Sequence, residues 1–191
     1  MKRNIALGAV LLTAASFAAP RANADATFTA ILLGANEVPP TASTASGSAT
    51  VTLIGNMLDV SETFSGLIGG PAAASQIQFA PAGSNGPVVV PLSGFPNAIS
   101  GTYSMTFDLT QTFTYTSAFV TASGGTAAGA EAALMADMTA GNTYINIHDA
   151  VFPGGEIRGQ LQLVTPEPGT VLLLGTGLLG MLGAARRKWL S

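Results

Sequence analysis

Any chemistry in this chain has to start from one imidazole. His148 is the only histidine, Asp149 follows it, and there is no cysteine. A His-Asp pair could relay a proton to a serine, but no Gly-x-Ser-x-Gly elbow is present, and adjacency in sequence carries little geometric weight for such a relay. A redox copper or catalytic zinc centre needs several imidazole or thiolate ligands. One His and no Cys speak against such a centre within one chain, so His148 is only a weak metal candidate and no cofactor is expected. Gly69-Gly70-Pro71 and Gly124-Gly125 lack the Lys-Ser/Thr that would complete a phosphate cradle. Phe95, Tyr103, Phe113, Tyr115 and Phe119 could stack on sugar rings; the plainer expectation is core packing. The expectation is therefore not an enzyme, with a metal-dependent extracellular enzyme as the rival reading.

Charge narrows the partners. From Asp25 to Thr165 the only basic side chain is Arg158. Against it stand nine acids: Asp25, Glu37, Asp59, Glu62, Asp108, Glu131, Asp137, Asp149 and Glu156, a net of −8. The whole chain carries only −3 because the other basic residues lie in the flanking segments. Nucleic-acid binding needs a basic footprint, which is missing, and anionic polymers are repelled. Neutral glycans or matrix proteins remain as partners. Without an Asp-x-Asp-x-Asp-Gly loop, a calcium site would have to be assembled from distant loops. The acids read as solvated surface charge.

The elements that must position these residues read as β-structure. Ser48 to Leu53 alternates small polar and apolar residues, Gly55-Asn56 predicts a tight hairpin, and Met57 to Phe64 is the return strand with Leu58 and Val60 inward. Thr102 to Leu109 places Tyr103, Met105, Phe107 and Leu109 on one face. Thr112 to Phe119, rich in Thr and aromatic residues, joins the strand candidates, as do Thr27 to Leu32 and Val88 to Leu92. His148 lies on a strand face with Tyr144 and Asn146. In Gly155 to Val164 the alternation sends Ile157, Leu161 and Leu163 inward and Glu156, Arg158, Gln160 and Gln162 outward. Ala127 to Met138 is the one helical pattern, with Gly141 just beyond it. The fold class expected is all-β: an antiparallel β-sandwich, Greek-key or immunoglobulin-like, with one short helical connection.

Both ends read as targeting segments. Lys2-Arg3, the apolar run from Ile5 to Ala19 and Ala22-Asn23-Ala24 make a signal peptide over 1–24, cut after Ala24 with Ala22 and Ala24 as the small-residue pair. The domain then covers 25–164, and 165–191 is a tail. Its polar punctuation, Pro166-Glu167-Pro168, precedes 17 uncharged residues from Gly169 to Ala185 and the basic stop Arg186-Arg187-Lys188. As a helix the run would span about 25 Å, the low end for crossing a bilayer, and the basic stop favours a cytoplasmic C-terminus. A permanently membrane-anchored surface protein is one reading. The layout also resembles the PEP-CTERM signal of Gram-negative bacteria. That resemblance implies an exosortase-type membrane protease as partner, passage through the inner membrane, and delivery to the cell surface or an exopolysaccharide matrix.

Within the domain, Gly34-Ala35-Asn36-Glu37-Val38-Pro39-Pro40, Ser84 to Leu92, Tyr144 to His148 and Phe152 to Leu161 are similar to the successive signatures of a CHRD (chordin-type) domain. The resemblance implies a β-sandwich extracellular module with no established enzymatic activity. Members usually carry a His-x-His pair where this chain has Gln76-Ile77-Gln78. Pairing the first and last signatures gives Arg158 a structural ion pair, a bidentate bond to Glu37 first or Glu156 second.

The two glutamines yield a direct expectation. Micromolar Cu²⁺ or Zn²⁺ should raise the melting temperature little, whereas a bound ion at one hundred times its Kd would add about 2.7 kcal/mol. Thermal melts with and without metal decide it, and a shift lost in His148→Ala would contradict the reading.

Overall fold

The computed structural model describes residues 25–165. The expected signal peptide with Ala22 and Ala24, and the tail with Pro166, Glu167, Pro168, Arg186, Arg187 and Lys188, lie outside the described residues. Among the described residues no helix is long and apolar enough to cross a membrane.

Nine strands follow one another: β1 (Ala26–Leu33), β2 (Ser46–Ile54), β3 (Met57–Ser65), β4 (Ala74–Phe79), β5 (Val88–Pro91), β6 (Gly101–Asp108), β7 (Thr143–His148), β8 (Ile157–Gln160) and β9 (Gln162–Leu163). They form one antiparallel sheet in the order β5-β4-β7-β8-β1-β2-β3-β6, with β9 paired to β1. This corrects the sandwich: there is one curled sheet, open like a half-barrel, in place of two facing ones. The curl lets a single sheet bury its own inner face. Phe28, Val51, Val60, Ile77, Val90, Ile145, Ile147 and Ile157, drawn from seven strands, meet in one core cluster.

A polar contact inside the core reports the curl directly. Glu62 on β3 and Ser75 on β4 stand near opposite ends of the strand order, yet Ser75 Oγ donates to both carboxylate oxygens of Glu62, at 3.2 and 3.0 Å. Both side chains are buried.

The hairpin forms where Gly55-Asn56 predicts it, with Gly55 at φ +58°. The helical pattern becomes α2 (Ala127–Thr139), which buries Leu134 and Met138 and is capped by Thr126 Oγ1 accepting from Gly129 N. The strand expected over Thr112 to Phe119 is not one. Thr114 Oγ1 and Tyr115 Oη both donate back to the end of β6, at Asp108 O and Leu109 O, which coils the chain. Thr116 then caps a short helix, α1 (Ser117–Ala122). Phe113, expected in the core, is 82% exposed as a result. The strand β4 is an addition to the expected elements, although its Gln76-Ile77-Gln78 alternation suits a strand.

Both ends of the domain leave from one pole. Phe28 pairs with Leu163, and Val164 N donates to Thr27 O at 2.7 Å. Arg158 pairs with Leu33 at the opposite end of β1, about 20 Å away at ~3.3 Å per residue.

Burial lifts the Glu62 carboxyl from its ordinary 4.5 to about 7, against a smaller lowering by the Ser75 hydroxyl. The folded domain thus holds this proton more tightly than the unfolded chain. Its contribution to stability is complete below about pH 4.5 and is lost as pH rises through about 7, with a limit of about 3 kcal/mol. Glu62→Gln should remove that share of the pH dependence, as read by denaturant melts at pH 5 and pH 8.

Candidate functional site

On the outer face of the sheet, β4, β7 and β8 lay polar side chains in rows. Gln76, Asn146 and Arg158 are register partners, and so are Gln78, Tyr144 and Gln160 in the next row. Directly paired residues share a face. An outward face of this kind is normally wet, yet Tyr144, Asn146 and Arg158 are all buried. Three loops roof them: residues 34–45, 80–87 and 149–156.

The roof is held by side chains of the rows. Arg158 Nη1 donates to Ser84 O (3.1 Å) and Asn85 Oδ1 (2.9 Å), and its guanidinium lies 4.3 Å from the centre of the Tyr144 ring. Asn85 Nδ2 passes the link on to Val38 O at 2.6 Å. Asn36 Nδ2 donates to Ile31 O and Arg158 O, each at 3.1 Å. Gly86 N donates to Tyr144 Oη, and Gln160 Nε2 donates to Ala80 O and Gly141 O. Gly86 has to be glycine, because a Cβ there would sit 1.7 Å from Phe79 O.

The ion pair expected for Arg158 is therefore replaced. Its side-chain hydrogen bonds, both from Nη1, go to a carbonyl and an amide of the 80–87 loop. Glu37 stays close enough to feel the charge without a hydrogen bond to it. Glu156 is turned to a different set of partners altogether.

Five of the nine acids, Glu37, Glu62, Glu131, Asp149 and Glu156, are buried rather than solvated. Glu156 accepts from Ser43 Oγ, Ile68 N (2.8 Å) and Gly69 N (3.2 Å), and its own carbonyl accepts from Thr41 Oγ1. Asp149 Oδ1 accepts from Val151 N and Phe152 N at 2.8 and 2.7 Å. The Asp149 carboxyl stands near enough to act on that of Glu156. Burial, and next the Asp149 contact, raise Glu156 above its ordinary range. Two carboxyls bond to each other only when one carries a proton, and a proton held by Glu156 gives Asp149 Oδ2, otherwise without a donor, its partner. Asp149 also packs tightly on Gly69, where a Cβ would lie 2.3 Å from its Oδ1.

A second orphaned pair sits on the other side of Gly155. Glu37 Oε1 and Asn146 Oδ1 are both buried acceptors without a donor, and both crowd the position of a Cβ on Gly155, at 2.6 and 2.2 Å. Gly155 also has φ +124°, which only glycine adopts readily. Burial pushes Glu37 up to about 7, opposed by the Arg158 charge. A proton on Glu37 Oε1 would satisfy both oxygens.

His148 does not enter a relay with Asp149. Its Nδ1 lies 3.0 Å from Pro153 O, a group that only accepts, so Nδ1 carries the proton and Nε2 is a bare acceptor, buried and without a partner. Burial lowers the imidazole below its ordinary 6.5, opposed by the Pro153 carbonyl and the Asp149 charge. Among the described residues no group of three or more His, Asp or Glu side chains gathers as a metal would require. Two clefts flank the Arg158–Asn85 bridge. One, of about 580 Å³, runs past Gln76, Gln78, Asn85, His148 and Asp149. The other, of about 520 Å³, runs past Asn36, Glu37, Val38, Arg158 and Gln160. Sequence reasoning points to Arg158, Glu37 and His148 in this neighbourhood, but it gives no role to the side chains of Asn85 and Asn146 and offers Asp149 only a relay. Asn85 and Asn146 stand within the signature segments themselves, which is the signal that could have found them.

A curled antiparallel sheet with its polar outer face roofed by loops makes this a β-rich module. Residues 28–161 match the CHRD domain, and the chain belongs to that family. Residues 164–188 match the PEP-CTERM protein-sorting motif. No curated protein and no solved structure matches the chain.

The Arg158 arrangement makes a sharp prediction. Arg158→Lys keeps the charge but loses the planar stack on Tyr144 and the reach and direction by which the single nitrogen Nη1 donates to both Ser84 O and Asn85 Oδ1, at a cost of about 1–3 kcal/mol. Arg158→Ala should cost about 3 kcal/mol or more by stranding the buried acceptors. Urea melts of both variants test this; losses below about 1 kcal/mol would place Arg158 among ordinary surface residues.

Proposed function

We propose that the protein is an exported, non-catalytic module of the cell surface or biofilm matrix, delivered through its C-terminal tail by an exosortase-type system. The match of residues 164–188 to the sorting motif carries this reading. The described structure is compatible with it in two respects. The motif begins directly after β9, so the folded domain ends where the tail begins. The side chains best able to do chemistry, His148, Asp149 and Glu156, are each engaged in contacts that hold loops. In this plan 1–24 is a signal peptide removed after Ala24, 25–164 is the functional module, and 165–191 is held in the membrane until processing. Pro166, Glu167 and Pro168 form the recognition element, and Arg186, Arg187 and Lys188 the stop.

The reading is tested in the native host. Mass spectrometry of the released protein should find a terminus at Asp25 and no peptide containing Trp189. Glu167→Ala should leave the chain uncut and in the membrane fraction. Recovery of released protein with an intact Trp189 end would refute the scheme.

A further inference from the structure

The roof of the outer face leaves two sets of polar groups open: the Glu37 and Asn146 acceptors beside Gly155, and a glutamine pair on β4. Gln78 Nε2 donates to Gln76 Oε1 at 3.0 Å, so the two amides brace each other. That leaves Gln76 Nε2 as a donor and Gln78 Oε1 as an acceptor without a partner among the described residues. Reversing both amides only exchanges the two roles. Gln78 is 7% exposed, and what is exposed opens on the cleft of about 580 Å³ that both glutamines line. The same cleft is walled by His148, whose Nε2 is itself buried and without a partner. Bracing a buried Gln78 against a half-buried Gln76 costs side-chain entropy and desolvation, and the pair finds no partner across the cleft among the described residues.

We propose that this cleft is a binding site for a neutral, hydroxyl-rich ligand, a glycan segment, gripped by the Gln76 and Gln78 amides beside His148. The two amides stand side by side, braced at 3.0 Å, so the free donor and the free acceptor are neighbours along the cleft wall, an arrangement that adjacent hydroxyls of a sugar can answer. A hydroxyl both donates and accepts, so one ligand class answers both free groups. No cationic side chain lines the cleft, Asp149 does, and the domain carries a net of −8, so an anionic polymer is disfavoured. The cleft lies toward the end of the sheet marked by Arg158 and Leu33, away from the pole where the chain enters and leaves. A ligand in the surroundings therefore meets it unobstructed by whatever holds the termini. The proposal draws on the exported, non-catalytic reading only for the setting in which such a ligand is met.

The lone histidine makes the test simple, because the imidazole gives one isolated proton NMR signal. The full chain in detergent micelles is titrated with laminarihexaose, maltohexaose and cellohexaose, with an alginate hexamer as the anionic comparison and Zn²⁺ as the metal comparison. At least one neutral hexaose should move the His148 Hε1 signal to saturation, while the alginate hexamer and micromolar Zn²⁺ leave it in place. Gln76→Ala should weaken that binding about tenfold or more, as should Gln78→Met, which keeps the volume and removes the acceptor, with the melting temperature retained. The proposal falls if no neutral hexaose moves the signal, if the anionic hexamer or the metal moves it equally, or if Gln78→Met binds as the wild type does. These readouts do not depend on processing of the termini, so they fail or succeed separately from the sorting scheme.

Discussion

One buried guanidinium organises the domain's outer face. Arg158 comes from β8, in the middle of the sheet, and the loops from both flanks close over it. Its charge is met by a carbonyl, an amide and an aromatic face rather than by a carboxylate. Dispersed acceptors avoid the heavy desolvation of a second ion. They also fix three separate pieces of chain, because Asn85 passes the contact on to Val38 and Tyr144 passes it to Gly86. With no cysteine in the chain, this polar roof and the curled core have to do together what disulfides do in many exported domains.

The buried acids follow from the same economy. A domain with one cation cannot neutralise its interior carboxyls by pairing, so it keeps them as proton carriers. Glu37, Glu62 and Glu156 all lie above their ordinary range, with burial as the leading cause each time. Each stands next to an acceptor or hydroxyl that a proton can bridge to. The sign of the effect is the same for all three: the folded state binds protons more tightly, so acid stabilises and alkali loosens. For an exported domain this extends tolerance on the acid side.

Much of this is legible in the local pattern. Alternation marks β1, β2, β3 and β6, the Gly-Asn pair places the hairpin, and the Ala-rich stretch before Gly141 places α2. The same alternation, followed two residues past Val60, puts Glu62 inward, against the assumption that acids are wet. What fails are inferences that need tertiary knowledge. Thr112 to Phe119 has β-prone composition, yet hydroxyl bonds back to Asp108 and Leu109 turn it away from the sheet. Whether nine strands make two sheets or one is a matter of which edges meet, and no period in the sequence encodes that. Arg158 stands out as the lone cation of the domain, but its partners come from a loop more than seventy residues away, beyond the reach of spacing arguments.

The side-by-side exit of the two ends has a mechanical side. Load applied between Asp25 and Thr165 would fall on the β1–β9 pair from its open end, so its hydrogen bonds would break in succession rather than in concert. Such a domain cannot serve as a stiff link in series between two attachment points. Fastened by one terminus it bears no tension at all, and drag on the opposite pole is taken up by the tether while the sheet stays closed.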